Sequence, residues 1–122
     1  MSSVAALVPL PMAVAYTGSK AGLTAFGRAL DGALRPHGVS VTVVCPAFVD
    51  TPMSQRLGCW KPFMSTPGAA ADKILRAVRR RRRLVIFPLP YAVLARTLLW
   101  LPKPVVALLF SRLRFETRPY QA

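Results

Sequence analysis

The sequence predicts an α/β fold: part of a doubly wound parallel sheet, followed by an apolar helical tail. Three observations predict it. Residues 15–35 repeat apolar side chains at helical intervals, residues 39–45 form a β-branched run bounded by glycine and proline, and a short turn joins the two. A helix, a turn and a buried strand in that order make half of a βαβ unit, whose strand lies parallel to its neighbours and is covered on both faces. The composition agrees, since 53% of the 122 residues are hydrophobic, too many for a disordered chain. That length allows one domain at most.

Residues 2–8 read as the exit of a strand into a loop that Pro9 and Pro11 hold extended. In the helix that follows, Leu23, Phe26, Leu30 and Leu34 line up as one apolar stripe. Ala21, Ala25, Ala29 and Gly32 form a second, small set that lets another element approach closely. Pro36 stops the helix and His37-Gly38 makes the turn, where a histidine is more naturally solvated than catalytic. Val39 to Cys45 is the clearest strand. Residues 52–65, with Met53, Trp60, Phe63 and Met64, show no period and read as a surface loop over two packed aromatics. Thr66 and Pro67 have the signature of an N-cap and first helical turn. Ala70, Ala71, Ile74, Leu75 and Val78 give that helix an apolar face, and it runs to about Arg81. Leu84 to Phe87 is a short strand closed by Pro88. Tyr91–Leu101 and Val105–Leu113 read as apolar helices, with Leu94, Leu98 and Leu101 sharing one face.

Lys and Arg number 17 against 4 Asp and Glu, a formal charge of +13, and Arg79 to Arg83 are consecutive. The plain reading of that run is a solvated helix end that complements the helix dipole; the other is contact with an anionic lipid surface or nucleic acid. No reading motif accompanies it, so no nucleic-acid partner is expected. Cys45 and Cys59 have neither metal-ligand spacing nor a disulfide framework, so no metal site is expected and a cytoplasmic location is the default. Neither a signal peptide nor a membrane-spanning run is visible. The tail, 89–122, nonetheless has the makings of a membrane-surface helix pair with snorkelling arginines, which keeps a peripheral membrane contact open beside simple packing or a homo-oligomer.

The chemistry-bearing stretch is Tyr16-Thr17-Gly18-Ser19-Lys20, with Ser3 thirteen residues before the tyrosine. On a helix Tyr16 and Lys20 lie one turn apart on one face, which brings an ammonium to a phenol. A fixed cation beside a phenol favours its ionised form and so its use in proton transfer. A serine hydroxyl nearby can hydrogen-bond an oxygen on which charge develops. In parallel sheets ligands bind beyond the carboxyl ends of the strands. Ser3 follows one such end, Pro46 to Thr51 follow another, and the start of the helix between them faces the same crevice.

Taken together, Ser3, Tyr16, Lys20 and the segment Pro46-Ala47-Phe48-Val49-Asp50-Thr51 resemble the short-chain dehydrogenase/reductase family, over roughly residues 2–55. The resemblance implies a Rossmann-like fold and an oxidoreductase that moves a hydride between NAD or NADP and a small-molecule carbonyl or alcohol. Tyr16 would exchange the proton with the substrate oxygen, Ser3 would orient that oxygen, and Lys20 would polarise Tyr16 and hold the nicotinamide ribose. Pro46, Ala47, Val49 and Thr51 would lie against the nicotinamide, with Ala47 where glycine is commoner. The resemblance also implies that the tyrosine-bearing helix can pack on its counterpart in another subunit.

The departures matter as much. The family's Gly-x-x-x-Gly-x-Gly turn, which brings a helix N-terminus to the pyrophosphate, has no match. Gly18 and Gly22 have its first spacing, but Thr24 takes the next position. The family's active-site asparagine has no counterpart, because the sequence contains no asparagine. Residues 1–88 are therefore expected to be the C-terminal part of such a catalytic domain, cut just before its serine, and inactive in isolation. So few strands leave a sheet edge open, and marginal folding or aggregation is expected. The competing expectation is a non-catalytic remnant that binds a membrane surface or a partner subunit through its basic, apolar tail.

Overall fold

The computed structural model describes residues 1–8, 10, 13–55, 61, 63–101 and 104–105. Its elements are α1 (Val14–Leu34), β1 (Val43–Pro46), α2 (Pro52–Gln55), α3 (Pro67–Arg79), β2 (Leu84–Phe87) and α4 (Leu89–Trp100). β1 and β2 pair in parallel, Val43 opposite Leu84 and Pro46 opposite Phe87. α1, the turn at Gly38 and β1 are the predicted half-unit, and the crossover through α3 to β2 adds a complete βαβ unit after it. The second helix proposed for the tail, Val105–Leu113, lies almost wholly outside the described residues, as does Cys59.

Side chains alternate across the two strands, and each face has its own helices. Val44, Val85 and Phe87 pack with Ala70 and Ile74 of α3. On the opposite face Ile86 joins Val4, Val8 and Ala95, so that α4 and the N-terminal segment share a core. Thr66 caps α3 as its sequence predicts, accepting a hydrogen bond from the Ala69 amide at 3.3 Å. The packed face of that helix is Ala70, Ile74 and Ala77, while Leu75 and Val78 are exposed. On α4 the inner residues are Tyr91, Ala95 and Leu98, while Leu94 is 42% exposed and Leu101, just past the helix end, 37%.

Three expectations change. Residues 4–6 form a 3-10 turn rather than the end of a strand, because the Ser3 hydroxyl accepts from the Ala5 amide and caps it. The strand from Val39 shortens to Val43–Pro46, because the Val41 amide bonds the Asp31 carboxylate. The apolar stripe of α1 is not its buried face: Leu23 is 41% and Phe26 62% exposed, whereas Thr24, Gly27 and Asp31 are buried. The sheet covers one side of the helix, and hydrogen bonds and a close approach select the polar, small-residue side. Ala25, Ala29 and Gly32 accordingly face outward, and the close approach happens at Gly27.

Candidate functional site

Helix α1 runs antiparallel to β1, and its contacts form a ladder. Asp31 accepts from the Val41 amide at 2.9 Å. The Gly27 backbone abuts Val43, and Thr24 Oγ1 lies 4.0 Å from the fully buried Cys45 Sγ. Each step towards the N-terminus of α1 is a step towards the carboxyl end of β1. The next turns carry Lys20 and Tyr16, which places them at the mouth of the sheet, where Pro46 gives way to Ala47 and the loop to Thr51.

The Lys20 ammonium stands 5.5 Å from the centroid of the Tyr16 ring, a cation–π distance. Tyr16 is 44% exposed. The ammonium also reaches the Met1 carbonyl at 3.5 Å, a long bond that leaves donor capacity on a group with three hydrogens.

The N-terminal segment is held against this face by Ser2, one residue before the predicted serine. Its amide donates to the Val44 carbonyl at 2.7 Å, and its hydroxyl donates to the Lys20 carbonyl at 2.9 Å. The Ser2 and Thr24 hydroxyls are 2.7 Å apart. Ser2 is buried and Ser3 half-buried. Ser3 thus leaves the edge of β1 beside the turn that bears Lys20, and its hydroxyl caps the 3-10 turn.

On the other side, Ala47 donates to the Phe87 carbonyl at 2.9 Å, so the loop starts from the end of the sheet. A clasp follows: Ser65 donates to Phe48 O at 3.0 Å and accepts from the Asp50 amide at 2.9 Å, around the bridge between Val49 and Ser65. Thr51 then caps α2, exchanging hydrogen bonds with Ser54 through backbone and hydroxyl groups. Phe48 meets Tyr91 edge-on, with ring centroids 6.0 Å apart. The loop is therefore tied at both ends.

Sequence reasoning missed the supports of this arrangement. Ser2 and Thr24 fasten the segment, and Asp31 anchors the far end of α1. Asp31 is 2% exposed; it accepts from Arg35 Nε and Nη2 at 2.9 and 2.8 Å, and Arg83 Nε approaches at 3.2 Å. These donors, Arg35 first and then the Val41 amide, hold its carboxyl below the ordinary value of 3.8 against the opposing effect of burial. Arg83 is therefore more than a solvated charge at a helix end. A signal was present: Tyr16, Lys20, Thr24, Gly27 and Asp31 recur at intervals of four, four, three and four on a helix otherwise rich in apolar residues. Among the described residues no His, Cys, Asp and Glu cluster suited to a metal ion occurs.

A profile of the family described as short chain dehydrogenase matches residues 1–62. The chain is 32% identical over 114 residues to an uncharacterized oxidoreductase of Myxococcus xanthus, covering 93% of this chain and 45% of that protein. It is 37% identical over 81 residues to the very-long-chain 3-oxoacyl-CoA reductase of Meyerozyma guilliermondii, covering 66% of this chain and 24% of that one. It is 48% identical over 42 residues to a monensin polyketide synthase putative ketoacyl reductase of Streptomyces virginiae, covering 34% and 16% respectively. The chain spans less than half the length of each of these relatives.

Proposed function

The chain belongs to the short-chain dehydrogenase/reductase family, and we propose that it carries the proton-transfer half of an oxidoreductase interconverting a small-molecule carbonyl and alcohol. The observation that supports this best is Lys20 standing 5.5 Å over the exposed Tyr16 ring at the carboxyl end of β1.

In the direction of reduction, Tyr16 gives its phenolic proton to the carbonyl oxygen. The Lys20 charge steadies the phenolate left behind. Ser3 turns its hydroxyl to the same oxygen and holds it in line for attack. The residues present fit the nicotinamide end of a dinucleotide: Lys20 has hydrogens to spare for ribose hydroxyls, and the loop from Pro46, Ala47 and Val49 to Thr51 is tied down at the carboxyl end of β1. Bound there, NAD or NADP supplies the hydride. Nothing in the sequence offers the glycine-rich turn that would cradle the pyrophosphate, so this stretch alone binds the dinucleotide weakly and turns over little.

The relatives' names include reductases of 3-oxoacyl-CoA and ketoacyl groups, which makes a 3-oxoacyl thioester the first substrate to try. The test mixes the chain with a polypeptide bearing a glycine-rich dinucleotide half and follows NADPH oxidation. Thioester-dependent oxidation that needs both components is expected. Its absence across a panel of ketones and thioesters would contradict the reading.

A further inference from the structure

Away from Tyr16 and Lys20, a groove of about 590 Å³ runs along the outer edge of β2 between α3 and α4. Its floor is the apolar strand Leu84 to Phe87, and its rim carries Lys73, Arg76, Arg80, Arg82 and Arg96 with no acidic residue among its lining. The outer face of α4 continues it. Leu89, Val93, Arg96 and Trp100 fall at intervals of four, three and four and so share one face. Leu89 is 74%, Val93 55% and Trp100 91% exposed. The opposite face of the helix, through Ala95, is already packed on Val4 and Val8.

We infer that this face is a docking surface for an anionic lipid bilayer. Two features select that occupant. The rim is uniformly cationic, so a two-fold contact with a second copy would set arginine against arginine, and a chain with 4 acids to 17 bases has little to offset it. The apolar half, with an exposed tryptophan beside an arginine, suits the headgroup boundary, where both side chains keep one end apolar and one end wet. Nucleic acid would satisfy the cations and leave Leu89, Val93 and Trp100 in water. The helix lies on the membrane rather than through it, since no helix among the described residues is long and apolar enough to cross.

The test uses the full chain with Trp60→Phe, which leaves Trp100 as the single tryptophan. Vesicles are phosphatidylcholine alone or mixed with phosphatidylglycerol. Flotation with the mixed vesicles and a blue shift of Trp100 emission are expected. Each of Arg80→Gln, Arg82→Gln and Arg96→Gln should weaken partitioning about fivefold, and raised salt should release the protein. Circular dichroism confirms that the variants remain folded; Leu89→Ser with Val93→Ser, which leaves the charges intact, should abolish the shift. No flotation with the anionic vesicles, or equal flotation with neutral ones, overturns the inference. So does displacement by soluble glycerol phosphate, which would assign the groove to a free phosphate. A Trp100 shift that grows with protein concentration in the absence of lipid would give the face to a second copy, and DNA binding without vesicle binding would give it to nucleic acid; either result overturns it.

Discussion

Gly27 of α1 lies so close to Val43 of β1 that a β-carbon at residue 27 would stand 2.7 Å from the Val43 Cγ2. This contact sets the height of the helix over the sheet, and with it the position of Tyr16 and Lys20 three and two turns away. Gly27→Ala is expected to destabilise the chain by about 1–3 kcal/mol through overpacking. Gly22→Ala, where the added carbon meets nothing within 4 Å, should stabilise by roughly 0.5–1 kcal/mol through helix propensity. Urea midpoints of the two variants check this, and Val43→Ala should relieve part of the Gly27→Ala defect.

Asp31 ties α1 to the start of β1 and to Arg83, and its pKa is lowered by those donors. A carboxyl depressed in the folded state adds stability that is complete above its unfolded value, about 3.9. That contribution is lost as pH falls below it towards the folded value. Melting temperature should therefore fall more steeply below about pH 4 in the wild type than in Asp31→Asn. Parallel curves for the two proteins would show that the carboxylate contributes nothing.

Cys45 is fully buried, and burial, opposed by the neighbouring hydroxyls of Thr24 and Ser2, pushes its thiol up. A thiol that is both shielded and protonated reacts slowly. In a Cys59→Ser variant, alkylation of Cys45 should track global unfolding, rising in parallel with the loss of circular dichroism in urea. Rapid labelling in buffer would place the thiol at an accessible surface.

The same 122 residues that hold the tyrosine and lysine contain no glycine-rich phosphate turn. A fluorescence titration of the chain with NADPH should show millimolar affinity or weaker. Saturation at micromolar NADPH would mean that another part of this sequence grips the pyrophosphate.

The helix and strand order, the Thr66 cap and the Tyr16–Lys20 pair were legible because each depends on residues close in sequence. The burial of α1 was not. Leu23 and Phe26 have the spacing of a core stripe, but which side of a helix meets a sheet is settled by long-range partners, here Val43 against Gly27 and Val41 against Asp31. The strand start at Val39 failed for the same reason, since β-branched residues favour extension without supplying a partner. Ser2 was overlooked beside Ser3 because neighbouring hydroxyls look alike until the fold gives one of them the Lys20 carbonyl. The edge groove on β2 draws on α3, β2 and α4, and no single window of sequence contains it.

The central claim is that Tyr16, beside Lys20, transfers the proton. It is tested most directly by Tyr16→Phe in the assembly completed by a glycine-rich half, with kcat and dinucleotide affinity measured separately. Removing the hydroxyl should lower kcat by about 10²–10⁴-fold and leave dinucleotide affinity unchanged. An unaltered kcat would contradict it.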